Sequence, residues 1–374
     1  MEKTAKIFSK LLCSAISLAA CVIVCFQLLL PDEVSVEAGT DVSGSFFGVE
    51  LRADSMGARY YLGAMPIKSA AARQTERPML VPCGTPFGIK LKTDGVMTVS
   101  VTDGSPAEDA GVKEGDIIIS VNDVKVRSNS DICSAIQLCP EECEIILQRG
   151  DSERLLRLMP YEDCGIYKIG VWVRDSAAGI GTMSYFDPET GKYGGLGHPV
   201  SDVTTGELMP LGSGEITAAD INGVIRGEAG APGELCGTLI SNQAIGSIES
   251  NTECGIFGMV SEPPSDGKAI PMAFRQEVKT GAATILTTTD GNTPREYDIE
   301  IEHINICDME SSKSMVIRIT DEELIEQTGG IICGMSGSPI IQNGMLVGAV
   351  THVFLNDPVR GYAIFCETML DEAG

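Results

Sequence analysis

The chain has few aromatic residues, few histidines and a shortage of basic charge. Aromatic side chains make up 5% of the 374 residues, with one tryptophan and three histidines. Since 52 acidic residues outnumber 27 basic ones and give a formal net charge of −25, nucleic acid is excluded as a partner. The 42 glycines and 18 prolines, without long amphipathic helical patterns, exclude a helical bundle and predict a turn-rich, mainly β protein.

Residues 11–30 contain no charged residue and are long enough to cross a bilayer as a helix. Lys3, Lys6 and Lys10 precede this stretch and acidic residues follow it, so the positive-inside rule predicts export of everything after it. Because the apolar run exceeds the usual core of a signal peptide, we favour an uncleaved transmembrane anchor in residues 1–30 over a cleaved signal. The exported part then carries a net charge of −27, since the anchor segment holds three lysines and one glutamate.

The thirteen cysteines follow neither a disulfide framework nor a zinc-ligand spacing. Cys139 and Cys143 resemble half of a zinc site, but no second cysteine pair or histidine lies nearby at ligand spacing. We therefore expect no metal and no organic cofactor, and interpret most cysteines as small core residues.

Two segments precede the C-terminal half of the chain. Residues 31–81 show weak strand patterns and are expected to form a spacer or a small subdomain. Residues 82–160 predict two strands joined by a turn at Asp94 and Gly95, then a short helix capped by Ser105, further strands and a second helix.

This order of elements, together with the sequence SPAEDAGVKEGD, resembles a PDZ domain. The resemblance implies a module to which an extended peptide adds as a strand, with its terminal carboxylate held by backbone amides. It also places the carboxylate-binding loop at four consecutive residues, Pro86, Phe87, Gly88 and Ile89.

Residues 161–374 are rich in short strands and glycine turns. Hairpins are predicted at Asp290 and Gly291 and at Asn343 and Gly344. The segment is therefore expected to be an all-β barrel or sandwich.

Histidine is the side chain most suited to act as a base near neutral pH, and the chain has only three. His198 lies in a glycine-rich loop after a predicted strand, the setting of a positioned site residue. His303 and His352 lie within strand patterns and are interpreted as structural.

The sequence from Gly334 to Pro339 has the form G-x-S-G-x-P. Glycines beside a serine allow a sharp turn that exposes the hydroxyl, so Ser336 is the predicted nucleophile, and the amides of Gly334 and Ser336 are predicted oxyanion donors. Ser338 is an alternative nucleophile, and Cys333 is a weaker one.

An acid that orients the histidine cannot be selected by spacing alone. Asp321 begins a short predicted helix and could serve only as its N-cap. Asp202 is the carboxylate nearest to His198 in sequence, and both candidates stay open on this ground.

Two long stretches, GIGTMSYFDPETGKYGGLGHPVSD and TDEELIEQTGGIICGMSGSPIIQNGMLVGAVTHVFLNDPVRGYAIF, resemble the SpoIVB peptidase family of endospore-forming bacteria. The resemblance implies a membrane segment, a PDZ domain and a chymotrypsin-like β-barrel serine peptidase domain, in that order. Carried over by position, the catalytic residues of the family fall on His198, Asp321 and Ser336.

The resemblance further implies an endopeptidase that cleaves itself and a membrane-bound inhibitor of an intramembrane protease, which then processes a sigma factor precursor. It places the protein in the space between the forespore and mother-cell membranes. Two alternatives are an inactive PDZ adaptor and an HtrA-type quality-control protease. In HtrA proteins, however, the PDZ domain follows the protease domain.

Overall fold

The computed structural model describes residues 2–37, 42–46, 49–54, 57–265, 267–305 and 311–374. Its helices are α1 Glu2–Leu29, α2 Pro106–Asp109, α3 Asn129–Leu138, α4 Glu322–Thr328 and α5 Cys366–Ala373, with one 3₁₀ turn at Arg275–Glu277. The strands up to the PDZ-like segment are β1 Glu33–Glu37, β2 Val42–Phe46, β3 Val49–Asp54, β4 Gly57–Leu62, β5 Met65–Thr75, β6 Met79–Pro82, β7 Pro86–Val101, β8 Ile117–Val121, β9 Val124–Lys125, β10 Cys143–Arg149 and β11 Ser152–Leu158. The later strands are β12 Tyr161–Asp163, β13 Ile166–Lys168, β14 Val171–Phe186, β15 Lys192–Gly195, β16 Leu211–Ile225, β17 Glu234–Thr252, β18 Gly255–Val260, β19 Ile270–Pro271, β20 Gly281–Thr287, β21 Arg295–Ile304, β22 Met315–Ile319, β23 Pro339–Gln342, β24 Met345–Phe354 and β25 Asp357–Phe365.

Helix α1 covers the uncharged N-terminal stretch. Within the part of the chain that the structure describes, no helix meets the length and apolarity needed to cross a membrane. The predicted transmembrane span therefore gains no support from the structure.

The predicted spacer is an ordered sheet with strand order β1-β5-β4-β3-β2, in which β1 runs parallel to β5. Its core holds the buried residues Val36, Leu51 and Tyr60. Arg77 fastens the sheet to the rest of the protein, since its guanidinium pairs with Glu37 at 2.9 Å and with Glu277 at 2.8 Å. This segment is thus a structural unit and not a loose linker.

Six antiparallel strands form a first closed barrel. Each strand pairs with the next in the order β7, β16, β17, β18, β15 and β14, and β14 returns to pair with β7. Its interior is filled by large side chains such as Phe87, Tyr193 and Ile216. A second closed barrel has the order β20-β21-β22-β25-β24-β23, with Ile285, Ile299 and Val350 in its core.

The PDZ-like module is inserted into the first barrel. Strand β7 does not fold back at Asp94 and Gly95 as predicted, because its two halves pair with different partners: residues 87–93 with β16, and Val96 and Met97 with β8. Strand β14 accompanies β7 along almost its whole length. A two-stranded ribbon therefore runs from the PDZ module into the barrel, and the predicted domain boundary at residue 82 does not coincide with a break in the structure.

The prediction that Pro86, Phe87, Gly88 and Ile89 form the carboxylate-binding loop is wrong. All four residues pair with β14 on one edge, and Phe87, Gly88 and Ile89 pair with β16 on the other, so the backbone of these three residues leaves no edge for a peptide. Their side chains are buried in the first barrel. The resemblance to PDZ domains predicts a loop here, but closure of the first barrel uses the hydrogen-bonding groups on both edges of β7.

Candidate active site

The nucleophile turn of the second barrel is held directly by strand β14 of the first. The Thr182 amide donates to the carbonyl of Ser336 at 3.1 Å, and the Thr182 hydroxyl donates to the carbonyl of Gly334 at 2.7 Å. Thr182 is buried, so these bonds are shielded from water. The two barrels therefore meet at the predicted G-x-S-G-x-P turn.

Glycine is required at the position after the serine. Gly337 has φ +98°, and a Cβ atom there would lie 1.9 Å from the Thr182 carbonyl oxygen. Its amide donates to the Val350 carbonyl at 2.8 Å. Any side chain would push the turn away from β14, which explains this glycine of the motif.

In the described residues the hydroxyl of Ser336 is bonded to a backbone carbonyl and not to an imidazole. Ser336 is half-buried, and its Oγ donates to the Thr351 carbonyl at 2.7 Å. Neither the Gly334 amide nor the Ser336 amide has an acceptor in the described portion of the chain, so both can bind an oxyanion. The roles of Ser336 as nucleophile and of the Gly334 and Ser336 amides as oxyanion donors stay predictions.

The two alternative nucleophiles, Ser338 and Cys333, are less suited to attack a substrate than Ser336. Ser338 is fully buried, and its hydroxyl donates to Thr287 Oγ1 at 3.0 Å. Partial burial and the nearby Glu234 raise the pKa of the Cys333 thiol, which keeps it protonated and weakly nucleophilic near neutral pH.

His198 follows β15 of the first barrel and meets a second histidine from the other barrel. The rings of His198 and His352 have centroids 5.0 Å apart and are tilted by 41°. His352 directly follows Thr351, whose carbonyl holds the Ser336 hydroxyl. Ser336, His198 and His352 thus form one cluster where the barrels meet.

The hydrogen bond of His198 determines its neutral tautomer. Nδ1 lies 2.8 Å from the Pro199 carbonyl oxygen, which can only accept. Neutral His198 must therefore carry its proton on Nδ1, which leaves the Nε2 lone pair free to take a proton from a hydroxyl.

Both histidines are held in the neutral form. Burial lowers the pKa of His198 from its ordinary value of 6.5, partly opposed by the Pro199 carbonyl. Burial, then repulsion from His198 and Lys313, lowers the pKa of His352 to about 4. The imidazole of His198 is therefore in its base form at neutral pH.

We expect kcat/KM for peptide hydrolysis to stay constant as the pH falls through 6.5. Because the pKa of His198 is lowered, its base form persists below that value, and the acid limb of kcat/KM should lie below pH 6.5. A pH–rate profile between about pH 4 and about pH 9 measures this limb. An acid limb above pH 6.5 would contradict a buried, neutral base.

The structure does not bring Asp321 to His198. Its carboxylate accepts the Leu324 amide at 3.0 Å as the N-cap of α4 and the Asp298 amide at 3.4 Å. Strand β22 begins at Met315, and Met315 and Val350 both pair with Ala363 of β25, so the start of β22 lies beside the nucleophile turn. Asp321 follows the other end of β22, and therefore lies away from that turn. The catalytic role of Asp321 stays a prediction.

Asp202 stabilises the loop that follows His198. Among the described residues, no hydrogen bond joins its carboxylate to the imidazole ring. Its side chain is fully buried, accepts the Thr204 and Thr205 amides at 2.8 and 2.9 Å, and pairs with Arg174 at 2.7 Å. Burial opposes ionisation, but these donors prevail and lower the pKa of Asp202. Asp202 is therefore ionised at neutral pH and stabilises the loop that follows His198.

The sequence pattern predicts a structural role for His352 and does not single out Thr182, and the structure places both at the site. His352 lies in an apolar strand pattern, and Thr182 lies in a strand distant in sequence from the nucleophile. Thr182 lies in GIGTMSYF, which is part of the stretch that resembles the SpoIVB peptidase family. Local sequence patterns do not show its role, because its contacts join two barrels.

The comparisons with known families assign the chain to a peptidase family and identify a PDZ module within it. The profile of the family described as SpoIVB peptidase S55 matches residues 165–370, more than half of the chain, and a PDZ domain profile matches residues 97–149. The chain belongs to the SpoIVB peptidase S55 family.

Other similarities concern only a short part of the chain. Serine protease HTRA1 of Xenopus tropicalis is 39% identical over 70 residues, and serine protease HTRA1B of Danio rerio is 36% identical over 70 residues. Each match covers 19% of this chain, and 15% and 14% of the respective relative, so the chain spans only about a seventh of their length. The solved PDZ domain of an SdrC-like protein from Listeria monocytogenes is 25% identical, with a TM-score of 0.20, covering 21% of this chain and 87% of that one.

Proposed function

We propose that the protein hydrolyses peptide bonds with Ser336 as the acylating nucleophile and His198 as its general base and then acid. The observation that carries the proposal is the cluster at the junction of the barrels. It combines a serine on a glycine turn, two amides without an acceptor among the residues that the structure describes, and a histidine whose Nε2 makes no hydrogen bond within the same residues. The two-barrel arrangement supports a chymotrypsin-like organisation.

In this mechanism the Ser336 hydroxyl leaves the Thr351 carbonyl and turns toward His198 Nε2. The imidazole takes the hydroxyl proton as Oγ attacks the scissile carbonyl, and the amides of Gly334 and Ser336 bind the resulting oxyanion. The imidazolium then protonates the leaving amine, and water releases the acyl group by the reverse sequence. No cofactor is part of this scheme.

The imidazolium needs a partner that stabilises its positive charge. The Pro199 carbonyl accepts from Nδ1 and fixes the tautomer. Asp321 stays in the proposal as the acid that the family resemblance assigns, although its carboxylate caps α4 in this structure.

The biological role is proposed from family membership. We infer self-cleavage and cleavage of a membrane-bound inhibitor that controls an intramembrane protease, within sporulation signalling. The proposed location is outside the cytoplasm with attachment through the N-terminal segment, which rests on the lysines before the uncharged residues 11–30.

Incubation of the purified full chain tests the proposal against an inactive PDZ adaptor. We expect specific fragments to accumulate with time, and mass spectrometry of the new termini to identify the cleaved bonds. An inactive adaptor would stay intact and would leave an added unfolded protein intact as well.

A further inference from the structure

The turn between β4 and β5 is exposed and carries no charge. All five of its residues, 62–66, are exposed, and none of them is acidic or basic. Leu62 and Met65 are 36% and 47% exposed, although both have large apolar side chains. Gly63 has φ +63° and makes the tight bend at the tip. A contiguous apolar surface on an ordered turn indicates contact with a partner or a membrane.

The uncharged stretch of α1 is exposed as well. Its side chains Ile16, Leu18 and Leu28 are 60%, 68% and 80% exposed. No described segment of the chain covers them, and lipid is the partner that fits an uncharged helical stretch as long as residues 11–30.

The C-terminal end of α1 is fixed to the start of β5. Ile23 and Phe26 pack against the core of the N-terminal sheet. The Gln27 side chain donates to the Ile67 carbonyl at 3.1 Å, and Lys68 Nζ donates to the Gln27 carbonyl at 2.8 Å. The position of the turn relative to α1 is therefore set by the structure.

The turn lies on the side of the sheet that faces back along α1. Gln27 is bonded to Ile67, and further along the chain the Asp32 carbonyl accepts the Ala71 amide, so β5 runs in the same direction as the chain that leaves α1. Met65 precedes Ile67 by two residues and lies about 6 Å further back. This distance equals the rise of about four helical residues. The turn is therefore level with the interior of the uncharged stretch of α1 and not with its end.

The space between the turn and α1 is open. A cavity of about 470 Å³ lies there, lined by Gln27, Pro66, Ile67, Lys68 and Ser69. Lipid chains around α1 can therefore reach the inner side of the turn as well as its tip.

Polar groups begin just beyond the apolar tip. Tyr61 is half-buried, and the Arg52 guanidinium lies 4.7 Å from the centre of its ring. Arg59 and Lys68 are the first charged residues on the two sides of the turn. An apolar tip followed by tyrosine and then by basic residues is the order found where a protein crosses from lipid chains to headgroups.

We infer that the β4–β5 turn enters the same lipid leaflet as α1. A helix alone leaves the attached body free to rotate about the helix axis, whereas a second contact in the leaflet fixes the orientation of the N-terminal sheet on the bilayer. The inference rests on the proposed attachment through the N-terminal segment, and it does not depend on the catalytic role of Ser336.

Quenching of tryptophan fluorescence by brominated lipid measures this contact directly, because acyl-chain bromine quenches an indole that it touches. The full-length double variant Met65→Trp/Trp172→Phe is reconstituted in phosphatidylcholine vesicles with and without bromine. We expect its emission to fall by about half or more in the brominated vesicles, as for an apolar side chain at the acyl boundary. The wild type is the matched control, because its single tryptophan, Trp172, is 68% exposed in the PDZ module and should not be quenched.

Two further substitutions locate the contact. Leu28→Trp/Trp172→Phe places the reporter on α1 and should be quenched whenever the helix lies in lipid. Ala64→Asp, added to the reporter at position 65, would carry a carboxylate into lipid and should remove most of the quenching, whereas Ala64→Ser at the same exposed position should keep it. Thermal unfolding of each variant checks that it is folded.

The outcomes separate the inference from the proposed attachment. Quenching at position 28 without quenching at position 65 would overturn the inference and leave the attachment intact. Absence of quenching at both positions would overturn the attachment and the inference with it. A blue shift at position 65 that lipid bromine does not quench would show that protein covers the turn, either a second copy or another chain, and would also overturn the inference.

Discussion

Ser336→Ala is expected to lower peptide hydrolysis and self-cleavage by about 10⁴-fold or more, because no other described hydroxyl or thiol at the site is activated. The protein should stay folded, since the Ser336 hydroxyl makes a single hydrogen bond to the Thr351 carbonyl. Mass spectrometry of the full chain after incubation measures self-cleavage, and circular dichroism measures folding.

Ser338→Ala is the matched control, two residues further along the same turn. Its buried hydroxyl only donates to Thr287, so the variant should stay active and lose about 1 kcal/mol of stability. If Ser336→Ala cleaves itself at the wild-type rate, or if Ser338→Ala alone is inactive, the assignment of the nucleophile is wrong.

His198→Ala should have the second-largest effect, a fall in kcat/KM of about 10⁴-fold. The structure gives this ring a fixed tautomer with Nε2 free, whereas the Nδ1 atom of His352 is buried and has no partner among the described residues. His352→Ala should therefore cost less, because that ring packs against His198 and does not need to exchange a proton. Steady-state kinetics on a peptide that the wild type cleaves measures both variants.

If His352→Ala loses more activity than His198→Ala, His352 is the base.

Asp321→Asn tests the third residue that the family resemblance assigns to catalysis, because asparagine preserves the N-cap of α4. A large fall in kcat for this variant would assign the carboxylate to catalysis, and an unchanged kcat would leave Asp321 as a cap only.

Local chemistry allowed several elements to be predicted from the sequence. The turn at Asn343 and Gly344 was predicted because both residues tolerate positive φ, and they have φ of 52° and 75°. Ser105 caps α2 as predicted, since its side chain accepts the Glu108 amide. The nucleophile turn was likewise visible, because its glycines are local requirements.

Long-range pairing explains the predictions that failed. Asp94 and Gly95 carry a strong local hairpin pattern, yet β7 continues through them because β14 pairs with it on both sides of this point. The contact of His198 with His352 joins residues of two different barrels. The position of Asp321, as the N-cap of α4, depends on where the preceding strand β22 ends. Short-range patterns hold no information about such contacts.

The central claim is that Ser336 is a nucleophile activated by His198 across the junction of the two barrels. Localisation of a fluorophosphonate adduct by mass spectrometry, in the wild type and in His198→Ala, tests it most directly. We expect a single adduct on Ser336 in the wild type and almost none in the folded His198→Ala variant. An adduct on another residue, or equal labelling of Ser336 without the imidazole, would contradict it.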